Sequence, residues 1–275
     1  MSEFATDLRQ LRASSWTALK STPRWLGGTS AATPQSWAAV IFASGAALFF
    51  LASCWFQLSA AHARWITFPA GLDPSDLSVE DHLYDYYLAS EPFLMIPGTS
   101  GPFGIGMLLQ AAGVVLLTMC LLSLRPRQSF RRGSLQVILG LLLSASCAII
   151  GYESLLTSRN GTPPHESGRT ALADTLLTLG FFAAIGLCLL CARRCPALSL
   201  AVFFTLGTNV HGYMFACYIV APLLTFYSSH DTTPGTETVV ALSTGLSGLL
   251  LLVAAWLLVR SRSNDWAAGD QLSEN

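Results

Sequence analysis

The stretch that decides the fold is WAAVIFASGAALFFLASCWFQLS, at residues 37–59. It contains no Asp, Glu, Lys or Arg, and the nearest basic residues on its two sides are Arg24 and Arg64. The hydrocarbon core of a bilayer is about 30 Å thick, so a helix that rises about 1.5 Å per residue crosses it in about 20 residues. Because backbone groups in lipid find no water to bond, such a run is helical. This stretch therefore predicts a transmembrane helix.

The remainder of the chain has the same character. Of the 275 residues, 52% are hydrophobic and 11% are charged, whereas a soluble domain carries about 25% charged residues. Charge-free runs recur along the chain, and we predict an all-α polytopic membrane protein whose transmembrane domain covers 36–260. Its six predicted helices lie at about 37–59, 103–124, 134–156, 171–192, 196–221 and 234–259. Pro222 is expected to bend the chain after the fifth helix.

The basic residues predict the orientation of these helices. Alternate connecting segments carry most of the Lys and Arg, namely Arg9, Arg12, Lys20, Arg24, Arg125, Arg127, Arg131, Arg132, Arg193, Arg194, Arg260 and Arg262. Positively charged loops remain in the cytoplasm, so we expect a multi-pass plasma-membrane protein with both termini cytoplasmic. The single lysine, Lys20, beside many arginines favours a bacterial source.

An alternative is that the first apolar run is a cleaved leader. Ala61-His62-Ala63 fits a signal-peptidase site, and cleavage there would leave five helices. However, both the segment before this run and the run itself are longer than those of a typical signal peptide. The uncleaved protein with six helices is therefore the preferred interpretation.

Three segments lie outside the predicted helices. Residues 1–35 form either a basic amphipathic helix on the cytoplasmic leaflet or a disordered arm, and the polar tail 261–275 is expected to be disordered. The outer loop 60–102 contains a capping pattern, Ser78-Val-Glu-Asp81, followed by apolar residues at helical spacing. We therefore expect a short amphipathic helix at about 79–89.

The expected outer loop supplies a first candidate site. On a helix Asp81 and Asp85 point the same way, and His82 lies beside them. Imidazole and carboxylate groups bind divalent metals and perform acid–base chemistry, so these three residues are a candidate metal site on the outer face. The simpler interpretation is that they are solvated surface residues.

The predicted fifth helix supplies a second candidate site. Asn209, His211 and Tyr213 fall in its outer half, and Glu153 lies at a similar height near the end of the third helix. Ionisable groups within a membrane are costly and often functional, so the four residues are a candidate ligand or proton site. A hydrogen-bonded His211 with a purely structural role is the alternative.

These patterns exclude some classes of function but do not identify one. A net charge of −1 without a Lys/Arg stripe excludes a nucleic-acid-binding domain, and the chain has no Walker A loop. Lipid is the expected environment, with other membrane subunits as candidate partners. We expect a small permease or an accessory subunit of a membrane complex. The alternative is a membrane-embedded enzyme that uses the outer-face His/carboxylate groups on a lipidic or small-molecule substrate; whether the chain is an enzyme, and any cofactor, stay open.

Overall fold

A computed structural model describes residues 37–68, 82–87, 89, 92–124, 130–164, 171–192, 195–228 and 232–273, and within these ranges the chain is helical with no strand. The α-helices are α1 Trp37–His62, α2 Ser100–Ser123, α3 Phe130–Asn160, α4 Ala171–Ala192, α5 Pro196–Thr205, α6 Val210–Phe215, α7 Ala221–Thr225 and α8 Thr236–Ser273. Short 3-10 helices lie at His82–Tyr84 and Leu206–Thr208, and π-helical turns lie at Ala63–Thr67 and Ala216–Val220.

The helices have the length and composition of membrane spans. Five of them pass this test singly, and the bent pair Pro196–Thr208 and Val210–Thr225 makes a sixth if it is counted as one span. Large apolar side chains are exposed around the bundle, among them Leu48, Trp55, Leu141, Phe182, Leu189 and Trp256. Exposed apolar surface on this scale marks contact with lipid. The prediction of a helical membrane protein is confirmed at this level, while the side on which each terminus lies stays a prediction.

The helices form a closed ring. α1 packs against α2, α2 against α3, α3 against α4, α4 against α5, α5 against α8, and α8 against α1. The contact between α2 and α3 depends on glycine. A Cβ on Gly104 would lie 2.8 Å from the carbonyl oxygen of Gly151, and a Cβ on Gly151 would lie 2.9 Å from that of Gly104. The two backbones therefore touch, as is common between membrane helices.

The interior of the ring differs between its two ends. We call the end at which α1 finishes and α8 begins the Arg64 end. The opposite end is filled by an apolar cluster that includes Phe50, Val114, Leu117, Leu187, Leu198 and Leu251, all nearly inaccessible. Both buried charged side chains, Arg64 and Glu237, and most of the buried polar ones lie toward the Arg64 end, so the candidate site is there.

The fifth predicted span is not one straight helix. Its two halves meet at Asn209 with a bend of 78°, rather than at Pro222. Asn209 leaves the helical conformation, with φ −95° and ψ 158°, and its side chain accepts a hydrogen bond from the backbone N–H of His211, so it caps α6. Pro222 lies in the first turn of α7, which directly follows the π-helical turn Ala216–Val220, so the chain stays helical through this proline.

The tail 261–275 differs from the sequence prediction, and the segment 79–89 is described only in part. α8 continues to Ser273, through most of the segment 261–275 for which a disordered tail was predicted. A helix that is already nucleated extends at little cost. Of the expected helix at 79–89, the structure describes a 3-10 turn at His82–Tyr84 and a non-helical segment at 85–87. Residues 79–81 and the arm 1–35 lie outside the described residues.

Candidate functional site: a buried charged cluster beside a broken helix

Arg64 is the centre of the candidate site. It lies in the π-helical turn that follows α1, and its side chain is 0% exposed. A buried charge is very costly unless it is paired. Its Nη1 donates to Glu237 Oε1 at 2.5 Å and lies 3.7 Å from Asp85 Oδ1. Arg64 therefore has two acidic partners, one from α8 and one from the loop before α2.

Glu237 is held from two sides. It lies in the first turn of α8 and is 3% exposed. Its second oxygen, Oε2, accepts a hydrogen bond of 2.5 Å from Trp65 Nε1. The guanidinium carbon of Arg64 lies 4.6 Å from the centroid of the Trp65 ring. The turn after α1 thus provides both a cation and an indole N–H for this carboxylate.

Asp85 connects the loop to the broken helix. Its Oδ2 accepts hydrogen bonds from Tyr213 Oη at 2.8 Å and from Thr232 Oγ1 at 3.3 Å. Its Oδ1 accepts from the backbone N–H of Tyr87 at 3.0 Å, which closes an Asx turn. The side chain is 13% exposed, more than those of its charged neighbours. Asp85 is therefore the most accessible charge of the site.

Together these side chains have an unbalanced charge. We call Arg64, Asp85 and Glu237 the charged cluster. With all three groups ionised it carries a formal charge of −1, in a place where water is largely excluded. A buried uncompensated charge is unfavourable, so the cluster gains by taking up a proton or a cation.

Two tyrosines link the charged cluster to the helix break. The rings of Tyr87 and Tyr213 stack with their centroids 4.3 Å apart and their planes at 14°. The hydroxyl of Tyr87 donates to the backbone carbonyl of Thr208, immediately before the break. The side-chain amide of Asn209 donates to the carbonyl of Leu177 at 3.3 Å. A backbone carbonyl at the break is thus bonded by a side chain of the loop, and the side chain of Asn209 itself is bonded to α4.

A second set of polar groups lies deeper in the bundle. We call Ser53, Gln57, Gln110, Thr208 and Thr244 the polar layer; all five are buried. The amide nitrogen of Gln57 lies 2.9 Å from Ser53 Oγ and 3.1 Å from Gln110 Oε1, and the amide nitrogen of Gln110 donates to the hydroxyl of Thr208. Thr244 Oγ1 lies 3.3 Å from Gln57 Oε1. The layer therefore joins α1, α2, α8 and the broken helix.

The charged cluster and the polar layer lie about two helical turns apart. Arg64 comes seven positions after Gln57, and Thr244 seven positions after Glu237. Seven positions correspond to about 10 Å along a helix. On the other side of the polar layer, Ser247 Oγ donates to the carbonyl of Ala201 at 2.8 Å, and the apolar cluster begins there. Polar groups thus reach from the Arg64 end to about the middle of the bundle.

Burial affects the two tyrosines of the loop. It raises the pKa of Tyr86 and of Tyr87 well above the usual value of a phenol. The negative charges of Glu237 and Asp85 raise the pKa of Tyr86 further, and the positive charge of Arg64 opposes this. Both phenols are therefore neutral hydrogen-bonding groups at physiological pH.

The structure combines one residue from each predicted candidate site. Asp85 was predicted as an outer-face metal ligand and Tyr213 as part of a site in the fifth helix, and the two are hydrogen bonded. Asp81 and the side chain of His82 lie outside the description, so a metal site there stays a prediction. Among the described residues, no group of three or more His, Cys, Asp or Glu could hold a metal ion.

The other members of the second candidate site have contacts of their own. His211 is exposed, and its ring lies 4.6 Å from that of Phe181, with Nδ1 3.4 Å from Asn209 Oδ1. Glu153 is half-buried in α3, where its carbonyl accepts a hydrogen bond from Thr157. His211 and Asn209 thus contact each other at the helix break, and Tyr213 points to Asp85 instead.

Several residues of the site were missed in the sequence. In the sequence Arg64 only borders an apolar run, and Glu237 falls at the start of a predicted helix, where a carboxylate is common. Gln57 and Gln110 carry no charge, so the runs that contain them show only the pattern of apolar spans. Amides inside charge-free runs were the available signal, since a buried amide needs partners from neighbouring helices.

Comparison with known proteins gives no relative on which a function could be based: no family model, no curated protein and no solved structure matches the chain.

Proposed function

We propose that the chain is a small multi-pass permease of the plasma membrane, with its substrate site between the charged cluster and the helix break at Asn209. The observation that carries the proposal is the 78° break next to buried Arg64 and Glu237 and partly exposed Asp85. Transporters commonly bind their substrates where a membrane helix is interrupted. Ionisable groups inside a membrane commonly lie on the path of an ion or a proton.

The distribution of polar and apolar groups supports the same proposal. Alternating access requires that a central site be closed toward one side of the membrane at a time. The charged cluster and polar layer extend from the Arg64 end to about mid-depth, whereas the opposite end is closed by the apolar cluster around Phe50, Leu198 and Leu251. In the orientation predicted from the basic residues, the Arg64 end faces outward and both termini are cytoplasmic.

The unbalanced charge suggests how transport is driven. Two carboxylates share one guanidinium, so a proton or cation that enters with the substrate neutralises the remaining charge. Glu237 lies at the start of α8, which packs against both α1 and α5. Protonation of this residue would weaken its bond to Arg64 and release α8 from the end of α1. Coupled movement of protons and substrate follows from this arrangement.

A proton-flux measurement tests the proposal. The purified chain is reconstituted into liposomes that contain a pH-sensitive dye, and amino acids, sugars and organic cations are added outside in turn. We expect at least one class to acidify the lumen, and Glu237→Gln to abolish this flux. Asp174→Asn is the matched control, because Asp174 is also an acidic residue in the first turn of its helix but is exposed. A lumen that stays unchanged with every class contradicts the proposal.

The second candidate function is an accessory subunit of a larger membrane complex. The apolar cluster that fills one end of the bundle favours this function, and so do the internal hydrogen bonds of the polar layer. Both features would also make the bundle a rigid scaffold. Purification in a mild detergent distinguishes the two functions. A stoichiometric membrane partner together with the absence of proton flux supports the subunit, whereas flux by the chain alone supports the permease.

A further inference from the structure

One edge of the Arg64 guanidinium has no partner within the described ranges. Its Nη1 is bonded to Glu237, but Nε and Nη2 are buried and have no hydrogen-bond partner among the residues that the structure describes. Nε and Nη2 form the edge of a guanidinium that binds a carboxylate or a phosphate through two parallel hydrogen bonds. A charged donor that is buried without an acceptor is costly. This edge therefore suits a ligand that carries an oxyanion.

A simple anion does not suit the charge of the site. The charged cluster already has a formal charge of −1, and an added carboxylate would increase it to −2 at a buried position. A simple cation would balance the cluster but leave Nε and Nη2 of Arg64 without acceptors. A ligand with both an oxyanion and a cationic group meets both requirements, because it fills the free edge and adds no net charge.

Asp85 is the group that would receive the cationic end. It is the most exposed carboxylate of the cluster, and its Oδ1 lies 3.7 Å from Arg64 Nη1, so the two residues are close enough for one small molecule to bond to both. Its oxygens accept three hydrogen bonds in the structure. A carboxylate has about four acceptor positions, which leaves room for one ammonium N–H.

Two neutral hydroxyl groups lie beside these charges. Tyr86 Oη and Thr233 Oγ1 are buried and, within the described ranges, have no hydrogen-bond partner. Tyr86 lies close enough to Arg64, Asp85 and Glu237 for all three charges to affect its ionisation. Thr233 follows Thr232, which is bonded to Asp85. Both hydroxyls belong to residues that interact with the charged cluster or directly follow one that does, so they are available to a polar ligand bound there.

We propose that this site binds a small zwitterion in which a primary ammonium and an oxyanion are separated by a few atoms. The oxyanion bonds to Nε and Nη2 of Arg64, and the ammonium bonds to Asp85. The inference rests on the proposed function in so far as it names the substrate of the permease. The same chemistry occurs in a free amino acid and in the headgroup of an aminophospholipid, and the experiment separates these two sources.

Thermal unfolding of the full-length chain, purified in detergent, measures the binding. The probes are glycine, β-alanine and O-phosphoethanolamine, with acetate and methylammonium as probes that carry only one of the two charges. We expect at least one zwitterion to raise the Tm in a saturable way, and neither acetate nor methylammonium to do so. In lipid nanodiscs, phosphatidylethanolamine in place of phosphatidylcholine raises the Tm only if the headgroup is the ligand, because choline has no ammonium N–H to donate.

Two conservative variants locate the binding. Arg64→Lys keeps the positive charge but removes the pair of parallel N–H donors at Nε and Nη2. We expect the affinity for the zwitterion to fall about tenfold or more. Asp85→Asn removes the partner of the ammonium at a partly exposed position and gives the same loss, so the test holds even if Arg64→Lys does not fold. Arg260→Lys, at an exposed arginine 23 positions after Glu237 in α8, is the control and leaves the affinity unchanged.

The outcomes separate this inference from the proposed function. If no probe and no lipid raises the Tm, the free edge of Arg64 is bonded only to water and the inference is wrong. If a zwitterion binds but is not carried into liposomes, the ligand assignment stands and the permease is contradicted. If a substrate is transported equally well by Arg64→Lys and Asp85→Asn, the permease stands and the inference is overturned.

Discussion

The guanidinium of Arg64 and the carboxylate of Glu237 are joined at 2.5 Å across 173 positions of the chain. This contact ties the end of α1 to the first turn of α8, so it closes the ring of helices at the Arg64 end. Asp85 adds a third charge from the loop before α2. The stability of this end of the bundle therefore depends on charges that no local segment contains by itself.

Removal of either partner alone is expected to be strongly destabilising. We expect Arg64→Met and Glu237→Leu each to lower the free energy of unfolding by about 3–5 kcal/mol, because each leaves a buried charge without its main partner. The double variant is expected to lose less than the sum, since both charges are gone. Unfolding in mixed micelles measures the three values. Additive losses would show that the two side chains do not interact. Asp174→Leu removes an exposed first-turn acid and measures the helix-dipole contribution alone, about 1 kcal/mol or less.

The helix break is expected to depend on Gly212. A Cβ at this position would collide with the backbone carbonyl of Leu206 on the other side of the bend. We expect Gly212→Ala to lower the Tm and to disturb the region around Asn209, because backbone rather than a flexible side chain must move. Gly133→Ala is the control: a Cβ there meets nothing within 4 Å, and the change stabilises α3 by up to about 1 kcal/mol. Equal Tm values for the two variants would contradict this account of the break.

The buried phenol of Tyr86 is expected to limit stability at alkaline pH. Burial raises its pKa in the folded protein above the value of about 10 in the unfolded chain. The folded state therefore holds this proton more tightly, and the resulting stability is complete below about pH 10 and lost as the pH rises through the folded pKa. We expect Tyr86→Phe to reduce the fall in Tm as the pH rises above about 10, whereas Tyr152→Phe, at an exposed tyrosine, leaves the fall unchanged.

The orientation predicted from the arginines can be tested by labelling. In a background without the seven native cysteines, Met95→Cys and Ser129→Cys place one thiol on each side of the second predicted span. A membrane-impermeant maleimide added to intact cells is expected to label residue 95, and to label residue 129 only after the membrane is permeabilised. Labelling of both thiols in intact cells would refute the orientation.

The membrane spans were predictable because their signal is local. A charge-free run such as 37–59 meets a single requirement, the thickness of the bilayer, and every residue in it contributes. The helix at 171–192 was predicted with the bounds that the structure has. The bend at Asn209 was not predicted, because proline is the usual breaker and Pro222 was nearby. The cap at Asn209 and the collision at Gly212 become visible only when the two halves of the helix are placed.

The site was only partly predictable because its contacts are distant in sequence. Asp85 and Tyr213 were each singled out, but nothing in the chain indicated that residues 128 positions apart would be bonded. Arg64 follows an apolar run, and a charged residue in that place usually faces water. Its complete burial is explained by Glu237 and Trp65, and the former is contributed by the last helix.

The hydrogen bond from Tyr87 to the carbonyl of Thr208 couples the position of a connecting segment to that of the broken helix. Tyr87 belongs to the segment between α1 and α2, while Thr208 precedes the kink inside the bundle. A protein, antibody or lipid that binds this segment and displaces Tyr87 would therefore also displace the backbone at the helix break. Binding at the segment between α1 and α2 can in this way change the conformation of the broken helix inside the bundle.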